Sequence, residues 1–344
     1  MTISLAVPNV VLILSILMVA MAVPRYMNSA DGPLPRGIIF KEPEDNSLVF
    51  PEEALPWRSG YLTVNASSKT RMFYAFYEAI EPNMSIAQTP IILWLQGGPG
   101  CSSMTGNFYE LGPWKISSDL TLYRNRSPWN RKFGVLFIDS PAGSGYSIAE
   151  KDEDIPTDEN QVAEHLYIAL KEFYNSLPEF SNRLLFVAGE SYAGKYVPAL
   201  GHYILMKSKK NSTDNEELGS LGYGGSKLLF GLGGLLIGNG LTDPEIQVQT
   251  HANVAYNFGL IDRNQKTYVG ELAERVLEFI HKQQWFEAYT ARTALLDWIQ
   301  NVSGIATPLD VRRSVPYHYS PDGHSHDTIY AISLFLYMFS FRSI

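Results

Sequence analysis

Residues 184–194, Leu-Leu-Phe-Val-Ala-Gly-Glu-Ser-Tyr-Ala-Gly, constrain this chain more than any other stretch. An apolar run that fits a buried strand stops at Gly189, and Ser191 stands two residues later. Helix-compatible sequence then runs from Tyr192 to about Lys207. A serine on a sharp strand-to-helix turn is a nucleophile elbow. The turn lifts the hydroxyl over the C-terminal end of a sheet, and the helix N-terminus behind it favours developing negative charge. Glycine at 189 and small residues at 193 and 194 let strand and helix cross closely. The short G-x-S-x-[AG] pattern arises easily by chance, so the flanking strand and helix carry the weight.

The rest of the chain supplies partners for that strand. Tyr61–Val64 and Met72–Tyr77 read as a hairpin around a polar turn through Ser67, Ser68 and Lys69. Ile91–Leu95 and Val135–Ile138 are short apolar runs, the first ending in a Gly-rich loop and the second at Asp139. Leu228–Ile237 is a third, Gly-rich run. Pro156, Thr157 and Asp158 then Val162, Leu166, Leu170 and Phe173 predict a capped amphipathic helix. Buried strands alternating with helices imply an α/β protein with a mostly parallel sheet covered on both faces. Its Gly-rich loops and the elbow gather at the C-terminal edge of the strands. From about Gln265 to Asn301 the pattern is helical, with Tyr268, Leu272, Val276 and Phe279 on one face and a second helix from Trp285 through Ile299.

Composition narrows the setting. With 344 residues, 45% hydrophobic and 18% charged, the chain is long enough for a sizeable core. A net charge of −8 argues against a nucleic-acid binder. Val10 to Ala22 is apolar, too short for a bilayer span, and ends in a small-x-small pattern, so residues 1–22 read as a signal peptide. No stable membrane association is expected after its cleavage. Five N-x-[ST] sequons, at Asn65, Asn83, Asn125, Asn211 and Asn301, agree with secretion, although Pro128 after Ser127 makes Asn125 the poorest acceptor. Residues 97–100 lack the Lys and Ser/Thr of a phosphate loop. No metal spacing occurs among the seven histidines, and no cofactor is expected. Asp139 and Asp243 read as turn or capping residues.

Four motifs in order, 93–103 (LWLQGGPGCSS), 108–113 (FYELGP), 138–147 (IDSPAGSGYS) and 189–196 (GESYAGKY), resemble the serine carboxypeptidases, and closely the plant serine carboxypeptidase-like proteins. Residues 238–244 (GNGLTDP) add a fifth match, and the resemblance runs from about Arg58 to about Tyr317. It implies an α/β-hydrolase fold with a helical cap insertion. It also implies Ser191 as nucleophile and the backbone N–H groups of Gly98 and Tyr192 as an oxyanion hole. Gln96, Glu110 and Glu190 would bind the substrate's C-terminal carboxylate. Gln96 stands where many members carry Asn, so its reach is one methylene longer. Acids bind an acid when one Glu is protonated, which mutual repulsion in a close pair favours. Peptidase activity is therefore expected to peak at acidic pH.

The resemblance divides the chain into a signal peptide (1–22), an α/β-hydrolase core (23–245), a helical cap (246–318) and an atypical tail (319–344). The family's Asp and His motifs come after the cap, and the chain departs from the family near Tyr317, before either. On this reading the last strands of the fold are missing and Ser191 lacks its base. Asp322, His324, His326 and Asp327 in the tail follow no strand that could place them. Cys101, a position that family members pair with a later cysteine, is expected to stay free. The implied reaction is hydrolysis of C-terminal peptide bonds through an acyl-enzyme, on peptides or proteins with a free C-terminus, in an extracellular or vacuolar setting. An acyltransferase on the same scaffold and a non-catalytic peptide binder are the rivals.

Overall fold

The computed structural model describes residues 52–116, 122–210 and 230–312. The signal peptide, the Asn211 sequon, the first residues of the Leu228 run, the end of the cap range and the tail lie outside the described residues. Those described form two compact units that meet in sequence at Gly240 and Leu241.

The first unit holds eight strands: β1 (Arg58–Asn65), β2 (Thr70–Tyr77), β3 (Ile91–Leu95), β4 (Trp114–Ile116), β5 (Leu122–Arg124), β6 (Gly134–Ile138), β7 (Leu184–Glu190) and β8 (Gly231–Gly238). Six form one sheet in the order β1-β2-β6-β3-β7-β8, and β4 and β5 pair as a separate antiparallel ribbon. The β1–β2 hairpin is antiparallel, as is its join to β6, while β6, β3, β7 and β8 run parallel. Every residue of β3 and β6 is buried. Strands covered on both faces have no polar side to alternate with, which is why both read as unbroken apolar runs.

One face of this sheet, through Leu93, Leu95, Leu136, Ile138, Leu185 and Val187, packs on two helices, α1 (Glu159–Ser176) and α2 (Ala193–Lys210). Leu166, Leu170 and Phe173 of α1 and Val197, Leu200 and Ile204 of α2 join the same core at helical spacing. Asp158 caps α1, its carboxylate accepting from the N–H groups of Asn160 and Gln161 at 2.8 and 3.0 Å. The opposite face meets a π-helical turn, Gly106–Leu111. Asn107 Nδ2 donates there to Tyr77 Oη at 3.2 Å, and Gly106 lies so close to the Trp94 ring that a Cβ would stand 2.2 Å from Nε1.

At the other end of the parallel strands lies an ion pair. Arg183 is fully buried and grips Glu78 with two bonds, Nη1 to Oε2 at 2.7 Å and Nη2 to Oε1 at 2.9 Å. Its Nε donates to the Thr89 carbonyl, and its guanidinium lies 4.4 Å from the Phe180 ring centroid. One side chain thus joins the chain just before β7, the chain just before β3 and the end of β2.

The second unit is helical: α3 (Pro244–Val248), α4 (His251–Asn257), α5 (Arg263–His281) and α6 (Trp285–Ser303). Asp243 is the N-cap of α3, Asp262 and Gln265 form a capping box on α5, and Gly304 ends α6 at φ +68°. The two long helices fall where periodicity predicts them, but the buried face of α5 is Val269, Ala273, Val276 and Leu277. Tyr268 is 44% exposed and borders the contact, its ring centroid 4.9 Å from that of Trp298. Among the described residues no helix is long and apolar enough to cross a membrane.

Candidate active site

Ser191 follows β7 directly and precedes α2, at φ +56°. A left-handed backbone at a residue with a Cβ costs on the order of 1 kcal/mol and persists only where its surroundings enforce it. They do so here. The Ser191 N–H donates to the Gly238 carbonyl of β8 at 3.0 Å, and its own carbonyl accepts from the Gly194 N–H at 3.0 Å. Gly97, after β3, presses against the elbow: a Cβ there would lie 2.6 Å from Tyr192 N, 2.7 Å from Glu190 O and 2.8 Å from Ser191 Cβ. A Cβ on Gly189 would lie 2.6 Å from both Leu95 O and Ala193 Cβ. The hydroxyl-bearing residue itself is exposed.

The contact at Gly97 joins the two segments that carry the Gly98 and Tyr192 N–H groups. Gly98 has φ +111°, and a Cβ there would crowd Cys101 N at 2.8 Å. Gly97→Ala is therefore expected to force the elbow and the Gly-rich loop apart, costing about 1–3 kcal/mol of stability. Chemical denaturation of the purified variant measures this; an unchanged midpoint would show that the contact is slack.

Gln96, Glu110 and Glu190 are brought together. Gln96 leaves β3 with only 7% exposure, Glu110 projects from the π-helical turn, and Glu190 ends β7. Trp94 Nε1 donates to Gln96 Oε1 at 3.0 Å, which orients the amide so that its nitrogen faces the acids. Gln96 Nε2 then donates to Glu190 Oε1 at 2.7 Å and Glu110 Oε1 at 3.4 Å. Burial, the Glu190 charge and a hydrogen bond to Glu190 push the Glu110 carboxyl up to about 8, against smaller opposing effects of Gln96 and Lys115. At neutral pH Glu110 is therefore protonated and shares its proton with Glu190. Burial, and then the Glu190 charge, also raises the Cys101 thiol; Cys101 has no disulfide partner among the described residues.

Asp139 is buried and locks the loops around this cluster. Its Oδ1 accepts from Ser102 Oγ and Ser103 N–H, both at 2.7 Å, and its Oδ2 from Tyr146 N–H at 2.9 Å. Ser103 Oγ donates to the Ile138 carbonyl at 2.6 Å and accepts from the Gln96 N–H at 3.1 Å. A hydrogen-bonded path thus runs from Asp139 through Ser103 to the backbone of Gln96. Reading Asp139 as a turn residue captures its structural role but not this reach. Of the sequon asparagines, Asn83 and Asn301 are exposed, while Asn65 Nδ2 donates to Asp154 Oδ1 at 3.2 Å. Asn125 is half-buried, with its amide bonded to backbone carbonyls.

A mostly parallel sheet, a serine at positive φ between its strand and a helix, and glycines packed around that turn define an α/β-hydrolase. The chain belongs to the serine carboxypeptidase family, whose model matches residues 50–317. It is 51% identical to serine carboxypeptidase-like 50 of Arabidopsis thaliana over 270 residues, covering 78% of this chain and 57% of that protein. It is 38% identical to the probable serine carboxypeptidase CPVL of Homo sapiens over 269 residues, covering 75% of this chain and 52% of that protein. Among solved structures it resembles Kex1, a prohormone-processing carboxypeptidase from Saccharomyces cerevisiae. That match has a TM-score of 0.60 and 27% identity, covering 80% of this chain and 60% of that one. The chain spans about half the length of the curated relatives it matches.

Proposed function

We propose that the protein binds peptides by their free C-terminal carboxylate and presents the last peptide bond to Ser191, as a serine carboxypeptidase. The observation that carries this is the proton-sharing trio of Gln96, Glu110 and Glu190, with Glu190 adjacent in sequence to the elbow serine. A protonated Glu110 and the Gln96 amide offer donors to an incoming carboxylate, which two ionised acids would repel. In the reaction, Ser191 Oγ adds to the scissile carbonyl, the N–H groups of Gly98 and Tyr192 hold the oxyanion, and the C–N bond breaks. The amine leaves with a proton, and water then releases the acyl group. We place the protein in an extracellular or vacuolar setting, reached through the signal peptide; Glu110 is protonated there at acidic and at neutral pH alike.

The serine's proton needs an acceptor. Among the described residues no hydrogen bond joins the Ser191 hydroxyl to a histidine. A site without that base keeps only binding and oxyanion stabilisation, which leave about 10³–10⁴-fold acceleration over water. Where no base reaches Ser191, a blocked dipeptide acid is expected to bind yet be hydrolysed within about tenfold of the Ser191→Ala rate. Calorimetry and a ninhydrin assay measure the two quantities on one preparation. A rate that collapses in Ser191→Ala would show that a base does reach Ser191, and absence of binding would overturn the carboxypeptidase reading itself.

A further inference from the structure

We propose that Asn125 carries no glycan in the folded protein and acts instead as a positioning residue that holds Glu110 in the carboxylate-binding trio. The inference rests on the reading of that trio given above.

Asn125 follows β5, opposite the start of β4, and its backbone N–H donates to the Pro113 carbonyl at 2.9 Å. The ribbon thereby returns it to the end of the π-helical turn. Its Nδ2 donates to the Glu110 carbonyl at 3.2 Å and the Gly112 carbonyl at 2.9 Å. Its Oδ1 accepts from the Ser127 N–H at 3.1 Å. Carbonyls at the C-terminal end of a helical turn lack partners within the turn, and the two N–H bonds of Asn125 meet two of them.

A glycan replaces one of those N–H bonds with a bond to the sugar carbon. One carbonyl would lose its donor, and the sugar would occupy that carbonyl's place. The turn is tightly packed beside that contact: a Cβ at neighbouring Gly112 would lie 2.1 Å from the Asn107 carbonyl oxygen. The consequence reaches the acid side chain. Gln96 Nε2 meets Glu110 Oε1 at 3.4 Å, so a shift of a few tenths of an ångström in the turn breaks the contact. The ionisable groups acting on Glu110 are Glu190 at the end of β7 and Lys115 on β4. A displaced turn that parts Glu110 from Glu190 or opens it to solvent lowers its proton affinity, because burial and Glu190 are what raise it.

The test uses the full chain secreted from a eukaryotic host, with three readouts. Glycopeptide mapping is expected to find Asn125 unmodified; a glycan there overturns the proposal. Ser127→Ala destroys the sequon and keeps the amide, so it is expected to leave glycan mass and the Glu110 titration unchanged. A mass loss in that variant overturns the proposal even if Asn125→Ala does not fold. In folded Asn125→Ala, the ¹³C-carboxyl titration of Glu110 is expected to fall by at least one pH unit, and an unchanged midpoint overturns the positioning role. Wild-type Glu110 titrating as an ordinary carboxyl contradicts the trio's reading instead, a result the glycan map does not touch.

Discussion

Glu78→Gln is expected to lower the unfolding free energy by about 3–5 kcal/mol and the Tm by on the order of 10 °C. The substitution keeps the shape of the side chain and removes only its charge. Arg183 has no exposed surface. Its guanidinium would keep the Thr89 carbonyl, one amide oxygen and the aromatic faces of Phe180 and Phe76, while the Gln amide nitrogen would face its other N–H donor. A buried cation without its anion loses the interaction that offset its desolvation. The double variant Glu78→Leu/Arg183→Met removes both charges and is expected to recover most of the loss. Thermal unfolding of wild type, single and double variants checks this. A double variant as unstable as the single one would mean that Arg183 contributes mainly by packing.

The second large effect is on pH. Glu110 has its folded-state value near 8 against an ordinary 4.5, so the folded chain holds a proton that the unfolded chain releases. That contribution is complete below about pH 4.5 and is lost as pH rises through 8. Stability should fall by on the order of 1 kcal/mol between about pH 6.5 and 8. Burial raises Asp139 to about 6, so it acts in the same direction but lower, between its ordinary 3.8 and about 6. Burial and Arg292 lower His251 from 6.5 to about 4, so it acts in the opposite direction, losing stability as pH falls across that interval. His165, lowered by burial, acts in the same sense as His251, so above pH 6.5 a net decline points to Glu110. Glu110→Gln, which cannot ionise, is expected to flatten the wild-type decline there. A variant with the same slope as wild type would remove Glu110 as its cause.

The legible parts of the molecule are those in which local sequence and local structure share one cause. Ile91–Leu95 and the strand before Ser191 are legible because central parallel strands are continuous apolar runs, although β7 passes Gly189, where the apolar run stops, and ends at Glu190. Asp158 announces α1 because a helix start needs a side-chain acceptor. The elbow is legible because its strand, serine and small residues are consecutive. By contrast, α3 and α4 span five and seven residues, too few for a periodic signal. The buried stripe of α5 is Val269, Ala273, Val276 and Leu277, with Tyr268 at its edge against Trp298, a shift that the aromatic-weighted sequence pattern does not show. No local pattern announces the π-helical turn that carries Glu110. Ser103, Asp139, Asn125 and Arg183 act through partners far along the chain, and those neighbours exist only once the sheet has set its register. The resemblance supplied Gln96, Glu110 and Glu190 as a set; their approach and shared proton are properties of the fold.

The central claim is that Glu110 and Glu190 hold one proton so that a peptide's C-terminal carboxylate can bind beside Ser191. The most direct measurement compares a blocked dipeptide acid with its C-terminal amide, by calorimetry on the Ser191→Ala chain, at pH 5 and above pH 8. The account predicts that the acid binds at least about tenfold tighter than the amide at pH 5, the worth of one charge-assisted hydrogen bond. It predicts that this preference fades once Glu110 ionises. Equal affinity for acid and amide at pH 5, or a preference for the acid that grows with pH, would contradict it.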